Sequence, residues 1–239
     1  MIIIPDIHGR TFWKEPVTKA LETGESIIFL GDYVDPYEYE GVPMGGLVPM
    51  LERIISIKRE HPGQVTLLLG NHDLHYLSED LGGSRYDYSR AVFYVRLFRD
   101  NSELFQMAAE AEIGGQKFLF SHAGVKRGWL DFEDDYLGKL APEDVCSRLN
   151  EMWLDKEQRP ALLDILADIS TSRWGAQPYG SPVWNDVEGM ADDADELPGY
   201  YQIFGHSQQE ENPVIGEHFA CLDCRRAFRI NDKGSIQEL

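Results

Sequence analysis

The order of elements along the chain constrains the fold more than any other feature of this sequence. Short apolar runs alternate with longer stretches whose apolar residues recur at helical spacing. The runs of strand length are residues 1–4, 26–30, 65–69 and 117–120. The helical stretches between the first three runs are residues 11–21 and 47–60. This alternation is typical of βαβ units and predicts an α/β fold, rather than a β-sandwich or a helical bundle.

The second half of the chain is less regular. Helical patterns occur at residues 86–111, 143–154 and 160–169, and a loop-rich stretch covers residues 171–198. Three more strands are predicted at residues 201–204, 219–222 and 227–230. Because the chain has neither an internal repeat nor a linker-like segment, we expect a single domain over residues 1–239, with helical and loop insertions at about 84–112 and 126–198.

Residues able to bind a metal ion follow five of the predicted strands. In chain order they are Asp6-x-His8, Gly31-Asp32-x-x-Asp35, Gly70-Asn71-His72-Asp73, His122 and Gly205-His206. In open α/β sheets, sites assemble at the carboxyl ends of the strands. Residues two apart in an extended chain point the same way, so Asp6 and His8 can bind one cation together. Each motif alone is an ordinary turn, but five in this order predict a metal site.

The surplus of acidic residues narrows the choice of partner. The chain has 22 Lys and Arg against 41 Asp and Glu, a formal net charge of −19. Nucleic acids and anionic membranes bind cationic faces, so the charge argues against both as partners. Because neither a membrane-length apolar run nor a secretion-signal pattern occurs, we expect a cytoplasmic protein. Carboxylates are ligands for hard metals, so the same surplus is compatible with a cation site.

The cysteines predict neither a disulfide framework nor a redox site. Three cysteines at uneven spacing are too few for such a framework, so reduced thiols are expected. Cys221-x-x-Cys224 lacks the second pair of a zinc ribbon and does not open a helix as redox motifs do. We interpret it as structural.

The strand-end motifs resemble those of the calcineurin-like metallophosphoesterase superfamily, in the branch that holds the phosphoprotein phosphatases. Within that branch, residues 69–77 and 121–125 are most similar to the bacterial symmetrical diadenosine tetraphosphate hydrolases. The resemblance runs from Asp6 to about Asp223. It implies a four-layer αββα sandwich, with two facing mixed β-sheets and helices outside, and two adjacent metal ions.

The resemblance also implies ligands for these two ions. Asp6, His8 and Asp32 would hold the first ion. The second would be held by Asp32, which bridges, and by Asn71, His122 and His206. Such oxygen and nitrogen donors suit manganese, with iron, zinc and magnesium as alternatives. In two-metal hydrolysis a bridging hydroxide attacks phosphorus while both ions stabilise the charge that builds on the phosphate.

A proton donor to the leaving group is implied in the same way. His72 would be the general acid, and Asp35 would fix its tautomer through the far ring nitrogen. The alternative for Asp35 is a turn carboxylate before Pro36.

The sequence departs from these relatives at two phosphate-binding positions. Pro36 and Leu69 stand where phosphoprotein phosphatases place arginines, and an apolar side chain cannot replace a guanidinium. The candidate replacements for substrate binding are Arg85, Arg90 and Arg173, with Arg173 favoured. The alternative for each arginine is a salt bridge to the acidic surface.

Three functions are compatible with these residues. The first is a dinuclear metal-dependent phosphoesterase that hydrolyses phosphomonoesters, with phosphoserine or phosphothreonine protein as the leading substrate. The second is a hydrolase of dinucleoside polyphosphates such as diadenosine tetraphosphate. The third is a catalytically inert metal-binding scaffold, against which the intact ligand set and the Asp35–His72 pair argue.

Overall fold

Two β-sheets form the centre of the computed structural model, which describes residues 1–191 and 196–239. The first elements are β1 (Ile2–Ile4), α1 (Lys14–Thr23), β2 (Ile27–Phe29), α2 (Leu47–Glu60), β3 (Val65–Leu68), α3 (Asn71–Leu74), α4 (Ala91–Asp100) and β4 (Phe105–Gln106). Next come β5 (Ala108–Ile113), β6 (Gln116–Ser121), α5 (Arg127–Phe132), α6 (Asp134–Leu137), α7 (Val145–Leu154), α8 (Arg159–Leu166) and α9 (Val187–Met190). The last are β7 (Tyr201–Phe204), β8 (Val214–Ile215), β9 (Phe219–Cys221), β10 (Phe228–Ile230) and β11 (Ile236–Glu238). Within the described ranges, each helix is too short or too polar to cross a membrane.

The first sheet contains six strands in the order β11, β10, β1, β2, β3 and β4. Strands β1 to β4 are parallel, with Ile3 beside Ile28 and Ile28 beside Thr66. Strands β10 and β11 extend the sheet antiparallel to their neighbours. Helices α1 and α2 connect β1 to β2 and β2 to β3, as parallel pairs require. The carboxyl ends of β1, β2 and β3 therefore meet at one edge.

The second sheet contains five strands in the order β5, β6, β7, β9 and β8. Strands β6, β7 and β9 are parallel, and β5 and β8 are antiparallel to their neighbours. Both sheets are thus mixed. The carboxyl ends of β6 and β7 also lie together.

The two sheets pack face to face through alternate side chains of their strands. Ile3 and Ile28 of the first sheet share a buried cluster with Phe120 and Ile203 of the second. Ile4 points the other way and belongs to the cluster covered by α1 and α2. Burying one such side chain contributes about 1.5–3 kcal/mol. Helix α9 packs on the outer face of the second sheet. The predicted four-layer αββα sandwich is confirmed.

One predicted helix is wrong over much of its length. The helical pattern at residues 86–111 produces a helix only over Ala91–Asp100, after which β4 and β5 follow. In β5, Ala108 pairs with Ser121 and each following residue pairs in turn with β6. Alanine and glutamate favour helices in isolation, but pairing along a strand with one buried face outweighs that preference.

The other predicted elements lie close to those observed. Helix α2 and strand β7 have the predicted bounds, and the remaining predicted strands and helices agree within three residues at each end. The segment predicted as a second insertion contains α5 to α9, and its residues 192–195 lie outside the described residues. The single-domain organisation stays a prediction.

Candidate metal centre and active site

The predicted metal ligands lie together at the shared edge of the two sheets. They are Asp6, His8, Asp32, Asn71, His122 and His206, each no more than 8% exposed. Three of them have left-handed backbone, with φ of 44° at His8, 53° at Asp32 and 63° at His206. Such a conformation costs a non-glycine residue about 1–3 kcal/mol and persists where the surrounding structure holds it, as at functional sites.

Two glycines let the ligands approach the backbone closely. A Cβ atom at Gly70 would collide with Oδ1 of Asp32. A Cβ atom at Gly205 would collide with Oδ1 of Asp6. Any larger residue at either position would displace one of the carboxylates, so these glycines have a steric role in the site.

Asp6, His8 and Asp32 form a first donor group, with one ligand atom of each within 4.8 Å of the others. Nε2 of His8 lies 3.4 Å from Oδ2 of Asp32 and 4.0 Å from Oδ2 of Asp6. Nδ1 of His8 donates to the carbonyl oxygen of Val34 at 2.8 Å. The carboxylate of Asp6 accepts from the backbone N–H of His206 at 3.0 and 3.1 Å. Backbone contacts therefore fix the orientation of both side chains.

Asp32, His122 and His206 form a second donor group, with Asn71 beside them. Nε2 of His122 lies 3.5 Å from Oδ2 of Asp32, 3.0 Å from Oδ1 of Asn71 and 3.2 Å from Nδ1 of His206. Nδ1 of His122 donates to the carbonyl oxygen of Leu30 at 2.8 Å. Nε2 of His206 is buried without a hydrogen-bond partner in the described part of the chain. Asp32 thus belongs to both groups.

The protonation of these rings fits two cations. Because Nδ1 of His8 donates its proton to a carbonyl oxygen, Nε2 of the neutral ring turns a lone pair toward the Asp32 carboxylate. Burial lowers the pKa of His8 to about 3 and also lowers the pKa of His206, so both rings are neutral at pH 7. Burial acts to raise the pKa of Asp32, but the His122 and His72 rings and the hydrogen bond from the backbone N–H of His72 outweigh it and hold that pKa below its ordinary value. Acceptors that face acceptors repel unless a cation lies between them, so the donor set fits the predicted metal ions.

Asp73 supports the turn that carries Asp32. Its carboxylate accepts from the backbone N–H groups of Asp32 at 2.8 Å, Tyr33 at 3.0 Å and Gly70 at 2.9 Å. Burial and the charge of Asp32 raise the pKa of Asp73 against the effect of these donors. The sequence places Asp73 in the third strand-end motif but predicts no separate role for it. A sequence pattern that could have predicted this role is a carboxylate at the third position of a short helix, which can accept from backbone N–H groups at the start of the helix.

Asp35 and His72 lie next to the candidate metal ligands. Nδ1 of His72 is 3.1 Å from Oδ2 of Asp35. Two further side chains contact the same carboxylate: Nε2 of His75 lies 2.6 Å from Oδ2, and the Tyr76 hydroxyl donates to Oδ1 at 2.5 Å. Burial acts to raise the pKa of Asp35, but the two imidazoles outweigh it and hold the pKa below its ordinary value.

His75 and Tyr76 are site residues that the sequence analysis does not single out. Their spacing from His72 could have predicted this, because residues three and four apart lie on one face of a helical turn. Both side chains are buried. The Tyr76 hydroxyl bonds the carboxylate that orients His72, and the His75 ring lies against the same carboxylate.

Among the three candidate arginines, Arg85 contacts the cluster. Its Nη2 lies 2.9 Å from Nε2 of His72 and 3.4 Å from Nε2 of His8. Its Nε donates to the carbonyl oxygen of Asp35 at 3.1 Å. The guanidinium lies over the ring of Tyr37, 3.7 Å from the centroid. Stacking and hydrogen bonding therefore hold one cation beside the first donor group.

Arg90 and Arg173 have other partners. Nη1 of Arg90 lies 2.9 Å from Oδ2 of Asp87, which matches the salt-bridge alternative. Nη2 of Arg173 donates to the hydroxyl of Ser207 at 2.7 Å, next to His206. The Arg173 charge adds to burial in lowering the pKa of His206. Arg173 thus lies near the second donor group, whereas Arg90 is paired within its own loop.

The cysteines take no part in this cluster. All three are free, and Cys221 and Cys224 are buried. The sulfur of Cys221 contacts the carbonyl oxygens of Gly205 and Ser207 at 3.3 and 3.4 Å. These contacts agree with a structural role for the Cys221 side chain.

Sequence comparisons find relatives over most of the chain. The sequence model of the family described as calcineurin-like phosphoesterase matches residues 1–209. A serine/threonine-protein phosphatase of Caenorhabditis elegans is 23% identical over 198 residues, which cover 79% of this chain and 39% of the relative. The symmetrical bis(5'-nucleosyl)-tetraphosphatase of Tolumonas auensis is 27% identical over 128 residues, which cover 52% of this chain and 43% of the relative. The chain thus spans about two fifths of the length of these two relatives.

A solved structure shares the fold. The crystal structure of a cold-active protein-tyrosine phosphatase from a psychrophilic Shewanella species superposes with a TM-score of 0.52. The sequence identity is 17%, and the match covers 100% of this chain and 79% of that chain. At this identity the likeness concerns the fold alone.

Proposed function

Because this chain belongs to the calcineurin-like phosphoesterase family, we propose that it is a dinuclear metal-dependent phosphoesterase that hydrolyses phosphomonoesters. The observation that carries the proposal is the Asp32 carboxylate, which lies in both donor groups and could be shared by two ions. Bound there, divalent ions would activate water and neutralise charge on the phosphate. We propose manganese, with iron, zinc and magnesium as alternatives, because the donors are oxygen and nitrogen without thiolate.

His72 would supply the proton that the leaving group needs. Asp35 accepts from Nδ1, and Nε2 accepts an N–H of Arg85 at 2.9 Å. Nε2 would carry the proton once Arg85 turned that N–H to a phosphate oxygen. His75 and Tyr76 hold the Asp35 carboxylate in place from the other side. General-acid assistance of this kind contributes roughly 10²–10⁴-fold to the rate.

Arg85 would hold a phosphate oxygen between the metal ligands and His72. It offers a guanidinium near the place where Pro36 and Leu69 leave none, and a guanidinium binds phosphate through paired hydrogen bonds. A phosphate oxygen would compete for the N–H that now faces Nε2 of His72. We propose Arg173 as a second, weaker contact from the side of His206.

A cysteine nucleophile would give a different phosphatase chemistry. Burial raises the pKa of Cys146 to about 12 and that of Cys224 to about 11, and it raises the pKa of Cys221 as well. A thiol with so high a pKa provides almost no thiolate at neutral pH. This supports direct attack by water.

Phosphoserine or phosphothreonine protein is a proposed substrate class, supported by the similarity to a serine/threonine-protein phosphatase. Hydrolysis of dinucleoside polyphosphates is the second proposed function. Two points support it: the similarity to a symmetrical tetraphosphatase, and the resemblance of residues 69–77, which include Leu69, to that group.

A metal-dependence assay tests these proposals. The protein is stripped with EDTA and then supplied with Mn²⁺, Fe²⁺, Zn²⁺ or Mg²⁺ in turn. The substrates are p-nitrophenyl phosphate, its bis-ester, a phosphoserine peptide and diadenosine tetraphosphate. We expect Mn²⁺ to restore hydrolysis of the monoesters. Faster hydrolysis of diadenosine tetraphosphate would favour the second function, and two bound ions without turnover of any substrate would favour the inert scaffold.

A further inference from the structure

A cavity of about 500 Å³ opens beside the Asp35–His72 pair. Asp35 and Arg85 lie in its wall, so the cavity adjoins the place where the leaving group would depart. Cavities of this size hold small organic groups. Neither phosphate binding nor proton transfer accounts for the remaining walls.

Three tyrosines form much of these walls: Tyr37, Tyr86 and Tyr88. The ring centroids of Tyr86 and Tyr88 lie 4.7 Å apart at an interplanar angle of 57°. The side chain of Tyr88 is 87% exposed, so its ring is available to a ligand. Aromatic rings attract one another at centroid distances of about 4.5–7 Å, in offset or edge-to-face geometry. The walls therefore favour an aromatic guest.

Tyr86 connects this cavity to the proposed proton donor. Its ring centroid lies 4.6 Å from that of Tyr76, whose hydroxyl donates to Asp35, and 5.0 Å from that of His75. A ring bound against Tyr86 would therefore lie beside the residues that hold Asp35. Its ester oxygen would lie on the side of Asp35, the partner of His72.

Carboxylates dominate the charge of the cavity. Asp35, Glu38 and Asp87 line it, and Arg85 is the cation among its described lining residues. Arg85 is itself directed toward His72. A leaving group that carries phosphates, such as a nucleoside diphosphate, would meet this negative charge, whereas a neutral ring would not. The charge thus favours a phenol over a nucleotide.

We propose that this cavity binds an aromatic leaving group, so that the protein hydrolyses aryl phosphomonoesters such as phosphotyrosine in peptides. The inference rests on the proposed function. In the reaction the oxygen of water forms a bond to phosphorus and the bond from phosphorus to the phenolic oxygen breaks. His72 gives its proton to that oxygen, and the protons of water remain on the phosphate and restore His72. The products are inorganic phosphate and the phenol.

The test compares two peptides of one sequence that carry phosphotyrosine or phosphoserine, together with diadenosine tetraphosphate, at saturating Mn²⁺. Because a phenol leaves more easily than an alcohol, the decisive quantity is the change caused by Tyr88→Ala. We expect this variant to lower kcat/KM about three- to tenfold for phosphotyrosine, the range of one aromatic pair, and to leave phosphoserine unchanged. The matched control is Tyr136→Ala, since Tyr136 is also exposed but lies on α6.

A binding measurement separates this pocket from effects on chemistry. Calorimetry should show that wild type binds phenylphosphonate more tightly than methylphosphonate, and that Tyr88→Ala removes about three- to tenfold of that preference. Equal losses for both peptides, or none for either, would overturn the inference. A loss confined to diadenosine tetraphosphate would overturn it too and assign the cavity to a nucleobase. Hydrolysis in which Tyr88→Ala has no selective effect on phosphotyrosine would overturn this inference but leave the proposed function standing. If no phosphoester is hydrolysed, both the inference and the proposed function are overturned.

Discussion

The candidate metal ligands and the arginines proposed to face the substrate are held in the molecule by different means. The cluster side chains follow the ends of five strands and are oriented by backbone groups, such as the carbonyls of Val34 and Leu30. Arg85 and Arg173 come from loops and are held mainly through side-chain contacts. The register of the sheets therefore builds the hydrolytic centre, whereas loops set what it binds. Loops can change without moving the ligands, which is how one fold serves several substrates.

Replacing Asp32 should have the largest effect, because its carboxylate serves both donor groups. Asp32→Asn keeps the side-chain volume and tolerates the left-handed backbone, but it removes the negative charge. We expect loss of both metal ions and a fall in kcat of roughly 10⁴-fold. Metal content by mass spectrometry and steady-state kinetics measure the two effects. Asp135→Asn, at an exposed position, is the matched control.

Loss of only one ion from Asp32→Asn would contradict the description of the ligands as one centre. The two groups would then be separate sites rather than one centre built around Asp32. A folded variant is recognised by an unchanged circular dichroism spectrum.

Replacing His72 distinguishes the proposed proton donor from the candidate metal ligands. His72→Ala should retain both metal ions, since the ring groups with Asp35 and His75 and not with the two donor groups that share Asp32, and should lower kcat about 10²–10³-fold. The loss should be greatest for alkyl phosphates, whose leaving groups have the highest pKa. A series of substituted phenyl phosphates measures this as a steeper dependence of log kcat on leaving-group pKa. An equal loss for all leaving groups would contradict the acid role.

The sequence is informative about the strand ends because simple periodicity and glycine placement determine them. Asp6 and His206 are 200 residues apart, yet the backbone N–H of His206 bonds the carboxylate of Asp6. Parallel strands bring their ends to one edge, so a list of strands is enough to predict that they meet. Ala108 to Ile113 shows the limit, since pairing with β6 outweighs the helical preference of its residues.

The arginines are harder to predict from the sequence because loop paths decide their contacts. Arg85 and Arg90 lie five residues apart in one loop-rich segment, but Arg85 stacks on Tyr37 while Arg90 pairs with Asp87. Arg85 reaches the site from a left-handed backbone, with φ of 63°. Neither hydropathy nor spacing encodes such a turn for an arginine.

Asp73→Asn tests whether the backbone holds the ligands as described. The amide would turn an N–H₂ group toward backbone N–H donors of Asp32, Tyr33 or Gly70 that now bond a carboxylate oxygen. We expect metal affinity to fall about 10–100-fold, as for other groups that orient ligands. Activity at saturating Mn²⁺ should recover to within about threefold of wild type. Unchanged affinity in a calorimetric titration would show that Asp73 is not needed to hold the turn.

Arg173→Ala should have the smallest effect, because Arg173 belongs to the loop side of the comparison and is already engaged. Its Nε pairs with Asp186 at 2.9 Å and its Nη2 donates to Ser207, so only part of its hydrogen-bonding capacity can face a phosphate. We expect KM to rise about three- to tenfold with kcat and metal content unchanged, as for one partly shared charged hydrogen bond. Arg127→Ala is the matched control, since Arg127 pairs with Asp131 on α5. If Arg173→Ala instead lost metal, its charge and its bond to Ser207 would be supporting His206. Arg173 would then count among the residues that support the metal ligands, although it comes from a loop.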